Sequence, residues 1–298
     1  MQKTLPGEVF FLPDGRALGF AQFGAPDGKP LFFFHGLGAS RLSRHPDESI
    51  AAALGVRLIT VDRPGIGLST PLPGRALLDW PDDVAALADG LGIEQFAVLG
   101  WSGGGAYALA CAHKMPERLS AVGVVSGTAP LAETTPADYL TRQWRGVAQI
   151  VQIAPWLARG FAWQQQRQVR RSLHRAVESI IARFSESDQA LLADEQMRAM
   201  MLETTLELYR QGSRGFYDDM LSLSRPWRFR LENILKEVHL WHGQDDPLLT
   251  PAFGRHLAET LPNSRMTFYP NEGHFLLFTH WRDLLTALTA PQTSAAMK

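Results

Sequence analysis

Short, uninterrupted apolar runs alternate with helical patterns along this chain, and the alternation breaks only once, for roughly 100 residues in which no convincing strand can be read. Runs of this kind lie at 31–34, 57–61, 96–99 and 121–125. A strand with both faces covered has no reason to alternate polar and apolar residues, so continuous runs point to a parallel sheet rather than a half-solvated one. Helical patterns at 42–54, 77–91 and 104–115 separate them. Ahead of these, 8–12 and 17–23 flank Pro13-Asp14-Gly15, a turn signal, and predict a β-hairpin. After Thr128-Ala129-Pro130 only helical periodicity is found as far as Trp227. Alternation then resumes with a strand at 238–241, a helix at 253–261, a strand at 266–269 and a helix at 275–288. The pattern predicts an α/β fold with helices on both faces of a mostly parallel sheet. Residues 1–130 and 228–290 form the expected core domain, 131–227 an inserted helical unit, and 291–298 a tail expected to fray.

Composition narrows what such a chain can do. With 29 Lys+Arg against 30 Asp+Glu the formal net charge is −1, which argues against a basic nucleic-acid footprint. The single cysteine, Cys111, rules out an internal disulfide and argues against a thiolate zinc cluster. No apolar h-region follows Lys3, and no apolar run approaches the roughly 20 residues a membrane span needs. The expectation is a cytoplasmic protein with a small-molecule partner, no nucleic acid, no membrane span, no cofactor and no metal. Homo-oligomerisation is left open.

Gly100-Trp101-Ser102-Gly103-Gly104 matches G-x-S-x-G. Alone, the match would arise by chance about once in eight chains of this composition. Its setting is more specific: it follows the apolar strand 96–99 and opens the helix at 104–115, as a nucleophile elbow must. Gly100 and Gly104 leave room for strand and helix backbones to approach, and the Gly103 amide becomes a candidate oxyanion donor. The rival reading, a phosphate-binding βα turn, lacks both the G-x-G-x-x-G spacing and a Gly-Lys-Ser/Thr. No Tyr-x-x-x-Lys dehydrogenase pair was found either.

A serine hydroxyl needs a histidine to take its proton and a carboxylate to hold that histidine. In an open parallel sheet these groups belong at the carboxyl ends of strands. The strand at 238–241 runs into His242-Gly243-Gln244-Asp245-Asp246-Pro247, and that at 266–269 into Pro270-Asn271-Glu272-Gly273-His274-Phe275. The order Ser102, Asp246, His274 is the one the elbow architecture uses, with Asp245 as the competing acid. His256 and His280 fall inside helix patterns and rank below His274. The second oxyanion donor is expected from the Leu37 amide in His35-Gly36-Leu37-Gly38, with His35 as a buried structural residue.

With these pieces in hand the chain resembles the α/β-hydrolase superfamily, in its cap-containing serine hydrolase and esterase branch. The resemblance rests on His35-Gly36-Leu37-Gly38, Asp62-Arg63-Pro64-Gly65-Ile66-Gly67-Leu68-Ser69, Gly100-Trp101-Ser102-Gly103-Gly104, Gly243-Gln244-Asp245-Asp246 and Glu272-Gly273-His274-Phe275, in the family's order. It implies an eight-stranded sheet, a helical cap near 131–227, the triad Ser102, Asp246 and His274, and oxyanion donors Leu37 and Gly103. The 62–69 loop is expected to be structural. A serine at the elbow excludes the aspartate-nucleophile dehalogenase and epoxide hydrolase branches. Trp101 before that serine departs from the proline iminopeptidase pattern.

Trp101, beside the nucleophile, is the expected substrate-binding residue. In the insertion, Trp144, Trp156, Phe161, Trp163, Phe184, Tyr209, Phe216, Tyr217, Trp227 and the methionines 197, 200 and 201 offer an apolar lining, though most are expected to pack internally. The implied activity is hydrolysis of a moderately apolar carboxylic ester through an acyl-enzyme. Carbon–carbon, lactone or amide hydrolysis with the same triad, and a slow-turnover ligand receptor, stand as alternatives.

Overall fold

The computed structural model describes residues 5–130, 151 and 153–290. The start of the insertion, Trp144 and the 291–298 tail therefore lie outside the described residues. Eight strands make one sheet: β1 Glu8–Phe11, β2 Ala17–Gly24, β3 Lys29–Phe34, β4 Val56–Val61, β5 Phe96–Trp101, β6 Leu119–Val125, β7 Val238–Gly243 and β8 Ser264–Tyr269. Their spatial order is β1-β2-β4-β3-β5-β6-β7-β8. The β1–β2 and β2–β4 pairs are antiparallel, and every other pair is parallel.

The continuous apolar runs are continuous for the reason expected. Along β3, Phe32 and Phe34 enter one core while Leu31 and Phe33 enter the other, all four fully buried. Burying each such ring contributes about 2–3 kcal/mol. The first core is closed by α2 (Trp80–Gly90), α3 (Gly104–Lys114) and α9 (Pro251–Thr260). The second is closed by α1 (Ser49–Ala53), α10 (Leu276–Thr279) and α11 (Trp281–Thr289).

Two expected helices differ. The pattern at 42–54 yields only α1, because Pro46 breaks the helical register and Arg41 is drawn into the core, where it pairs with Asp62 at 2.6 Å. The pattern at 275–288 splits at His280, whose ring packs on Tyr269 at 4.0 Å and meets Glu272 at 3.2 Å.

Between β6 and β7 the described residues form helices only: α4 (Pro155–Arg171), α5 (Leu173–Ile181), α6 (Glu186–Leu191), α7 (Glu195–Leu208) and α8 (Arg214–Ser224). Met197, Met200 and Met201 join the second core beside Trp101, and Tyr209 and Trp227 are also buried. Trp156, Phe161 and Trp163 are exposed. Carboxylates from these helices reach down onto the sheet domain at three places. Glu207 meets Arg41 at 2.6 Å, Asp219 meets Arg63 at 2.7 Å, and Asp188 accepts from the His274 amide at 2.9 Å. Among the described residues no helix is long and apolar enough to cross a membrane.

Candidate active site

Ser102 stands between the end of β5 and the start of α3, and its φ of +55° is left-handed. A non-glycine residue is held there only when its surroundings over-determine it. Here the Ser102 amide donates to the Val125 carbonyl at 2.9 Å, while its own carbonyl accepts from the Gly105 amide at 3.0 Å. Helix and sheet come so close that a side chain at Gly104 would strike the Phe34 carbonyl. Strand β3 thus ends directly beneath the helix, which brings the next residues, His35 to Leu37, against the elbow. A Cβ on Gly36 would sit 3.3 Å from Ser102 Cβ, and one on Gly103 would sit 3.2 Å from Leu37 N. Neither the Leu37 nor the Gly103 amide has a hydrogen-bond acceptor among the described residues. Two N–H groups without acceptors therefore stand side by side at the amino end of α3.

Asp246 and His274 lie at the carboxyl ends of β7 and β8. His274 Nδ1 is 2.7 Å from Asp246 Oδ2. The other carboxylate oxygen of Asp246 accepts from the Leu248 and Leu249 amides at 2.9 and 3.0 Å. Asp246 is buried while Asp245 is exposed, so Asp246 is the acid that reaches the ring. His242, in β7 just before its last residue Gly243, donates its Nε2–H to the Leu249 carbonyl at 2.8 Å, which fixes the same turn. Burial lowers the His242 pKa, so that ring is neutral near pH 7. For His274, burial alone would also lower the pKa, but the charge and hydrogen bond of Asp246, with Asp188 behind them, outweigh it and raise the value.

Trp101 joins the two halves. Its indole N–H donates to the His274 carbonyl at 3.0 Å, and its ring lies 5.5 Å from the imidazole and 5.0 Å from Phe275. Ser102 and His274 are thereby held to one cluster. Among the described residues no hydrogen bond joins Ser102 Oγ to the imidazole; such bonds are often long in a resting site and tighten with substrate.

The helical region makes two contributions here: Phe184, one of the insertion's expected lining aromatics, and Asp188, which gave no local signal in the sequence. The Phe184 ring stacks on the imidazole at 5.8 Å with an interplanar angle of 12°. Asp188 accepts hydrogen bonds from the backbone amides of His274 at 2.9 Å and Phe275 at 2.7 Å. A Cβ on Gly273 would collide with Asp188, which explains the glycine before the histidine. Asp188→Asn should lower stability by about 1–3 kcal/mol, because one buried amide would then face another N–H donor. Since Asp188 also helps to raise the His274 pKa, the variant's acid limb of activity should move to lower pH. Chemical denaturation and a pH–rate profile check the two effects separately.

A buried serine on a strained turn, a carboxylate-held histidine and two amides with no acceptor among the described residues thus lie in one cluster. The chain belongs to the alpha/beta hydrolase fold family, whose model matches residues 29–280. It is 29% identical over 232 residues to a pimeloyl-[acyl-carrier protein] methyl ester esterase of Aromatoleum aromaticum, covering 77% of this chain and 84% of that one. Among solved structures it is similar to an enol-lactonase from Burkholderia xenovorans (TM-score 0.69, 17% identity, 94% of this chain and 97% of that one). It is likewise similar to an esterase from Rhodococcus sp. (TM-score 0.68, 20% identity, 95% of this chain and 100% of that one).

Proposed function

We propose that this chain is a cytoplasmic serine hydrolase that cleaves carboxylic esters of moderately apolar character. Ser102 is the nucleophile, His274 the base, Asp246 the orienting acid, and the Leu37 and Gly103 amides the oxyanion donors. The observation that carries the reading is Ser102 at φ +55° on the β5–α3 turn, tied through Trp101 to the Asp246–His274 pair. The activity of the methyl ester esterase relative supports ester over amide or carbon–carbon bonds.

In this reading Ser102 Oγ attacks the ester carbonyl carbon while His274 Nε2 takes its proton. The carbonyl oxygen becomes an oxyanion between the two amides, each worth about 3 kcal/mol in the transition state. The tetrahedral intermediate collapses, the C–O bond to the alcohol breaks, and the alcohol leaves with the proton from His274. Water, deprotonated by His274, then attacks the acyl carbon and releases the acid and Ser102. Residues 131–227 act as the cap over this site, with 1–130 and 228–290 as the catalytic core. Phe184, stacked on His274, brings the cap to the chemistry. Trp101 is 5% exposed and has its N–H committed, so its role here is to brace the His274 loop and floor the site.

The test combines an active-site-directed fluorophosphonate with p-nitrophenyl esters from acetate to laurate. A single adduct mapped to Ser102, with turnover peaking at one chain length, is the expected outcome. Labelling elsewhere, or no ester turnover at any length, would overturn the reading.

A further inference from the structure

The geometry points to Arg63 as a positioning residue for the oxyanion hole, acting through the Gly36–Leu37 peptide and itself held by Asp219 from α8. This inference rests on the serine hydrolase reading. The 62–69 loop, expected to be structural only, sends a fully buried guanidinium beneath the β3 turn. Its Nη1 donates to the His35 carbonyl at 2.6 Å and its Nη2 to the Gly36 carbonyl at 3.0 Å. Gly36 is joined to Leu37 by a planar trans peptide, so the direction of the Gly36 C=O dictates the opposite direction of the Leu37 N–H. Holding the carbonyl toward Arg63 therefore aims the amide away from it, on the side where Gly103 lies.

Two neutral donors share that carbonyl: the Ala39 amide at 3.3 Å and His35 Nδ1 at 2.9 Å. A carbonyl only accepts, so the His35 ring carries its proton on Nδ1, and its buried Nε2 has no partner among the described residues. Arg63 is the charged member of the three. A charged donor on the oxygen polarises the peptide and makes its N–H a stronger donor to a developing oxyanion.

What holds Arg63 comes from the helical region. Asp219 Oδ2 accepts from Arg63 Nε at 2.8 Å and lies 2.7 Å from Nη2. Tyr107, over whose ring the guanidinium lies at 4.7 Å, donates its hydroxyl to Asp219 at 3.1 Å. Arg75 completes the cluster, bonded to Asp219 and to the Pro64 carbonyl. Two arginines thus face one deeply buried aspartate behind the oxyanion site. Asp218, also buried, is drawn electrostatically to Arg75 and lies 3.5 Å from Arg214.

The experiment uses Arg63→Lys, Arg63→Met and Asp219→Asn in the full chain, with folding followed by circular dichroism. The probe is an alkyl trifluoromethyl ketone. Ser102 Oγ adds to its carbonyl carbon, the proton passes to His274, and an oxyanion is left in the hole. Binding is read by fluorine NMR, which requires no knowledge of the natural ester. Folded Arg63→Lys is expected to bind the ketone about 10 to 100-fold more weakly, with kcat on an ester falling by the same factor. KM should stay within about twofold, because the ground-state carbonyl gains little from the hole. The acid limb of the pH–rate profile should not move, since the Asp246–His274 pair is untouched. Asp219→Asn should reproduce the ketone effect more weakly, and it keeps the test open if Arg63→Met does not fold. Unchanged ketone affinity in folded Arg63→Lys and Asp219→Asn overturns the inference and leaves the serine hydrolase reading standing. A wild-type chain that forms no ketone adduct overturns both.

Discussion

Ser102→Ala is expected to cut ester turnover by about 10⁶-fold while leaving the chain folded. The fall is this large because, in the proposed mechanism, the Ser102 hydroxyl forms the acyl-enzyme. The remaining amides and binding surface would still accelerate attack by water about 10³-fold over solution. Stability should change little. The hydroxyl is not hydrogen-bonded among the described residues, and alanine inherits the same left-handed backbone at φ +55°. Ser102→Gly offers a second arm: it should be equally inactive yet free of a strain worth about 1–2 kcal/mol. A Ser102→Gly melting temperature above that of Ser102→Ala would show that the elbow is held in place by its surroundings at a cost. If Ser102→Ala retained more than about 1% of wild-type turnover, Ser102 could not be the nucleophile.

The sheet was readable because its chemistry is local. Runs such as Leu31 to Phe34 have apolar side chains on both faces, and only a strand covered on both sides can hide them. The elbow was readable for a related reason, since the close backbone approach around the strained Ser102 is permitted by glycines adjacent in sequence. Where a decision depended on distant atoms, the residues alone were silent. Asp245 and Asp246 are chemically identical neighbours. What separates them is that the turn from β7 buries one against the Leu248 and Leu249 amides and leaves the other in solvent.

The polar ties between the helical region and the sheet left almost no trace in the sequence. Arg63 and Asp219 are 156 positions apart, and Asp188 and the His274 amide 86. An aspartate that meets its partner so far along the chain looks, locally, like any surface acid. A faint signal existed in α8, where Asp218, Asp219 and Ser222 fall among Met220, Leu221 and Leu223 on the buried side. An acid on the apolar side of a helix must be paired, because an uncompensated buried charge costs several kcal/mol. The over-long helix expected at 42–54 failed in the same way. Arg41, immediately before its expected start, is claimed for the core by Asp62 and Glu207.

Asp246→Asn is expected to reduce kcat by about 10⁴-fold, for a reason that can be traced atom by atom. The Leu248 and Leu249 amides both point at Oδ1, so an asparagine must keep its carbonyl oxygen there. Its NH₂ then falls where Oδ2 was, facing His274 Nδ1. Two donors cannot share that contact, so Nδ1 gives up its proton and the imidazole carries it on Nε2. A ring protonated on Nε2 cannot accept the proton of Ser102. The pH dependence supplies an independent check. His274 must be neutral to act as a base, and its raised pKa puts the acid limb of the wild-type profile above the ordinary value of about 6.5. Removing the Asp246 charge leaves burial as the dominant influence, so the residual activity of the variant should have its limb at lower pH. Stability should follow with the opposite sense. The charged pair stabilises wild type fully below about pH 6.5, and this contribution disappears as pH rises through the raised folded-state pKa. The variant should lack that decline. An Asp246→Asn enzyme with wild-type kcat and an unmoved limb would mean that another group orients His274.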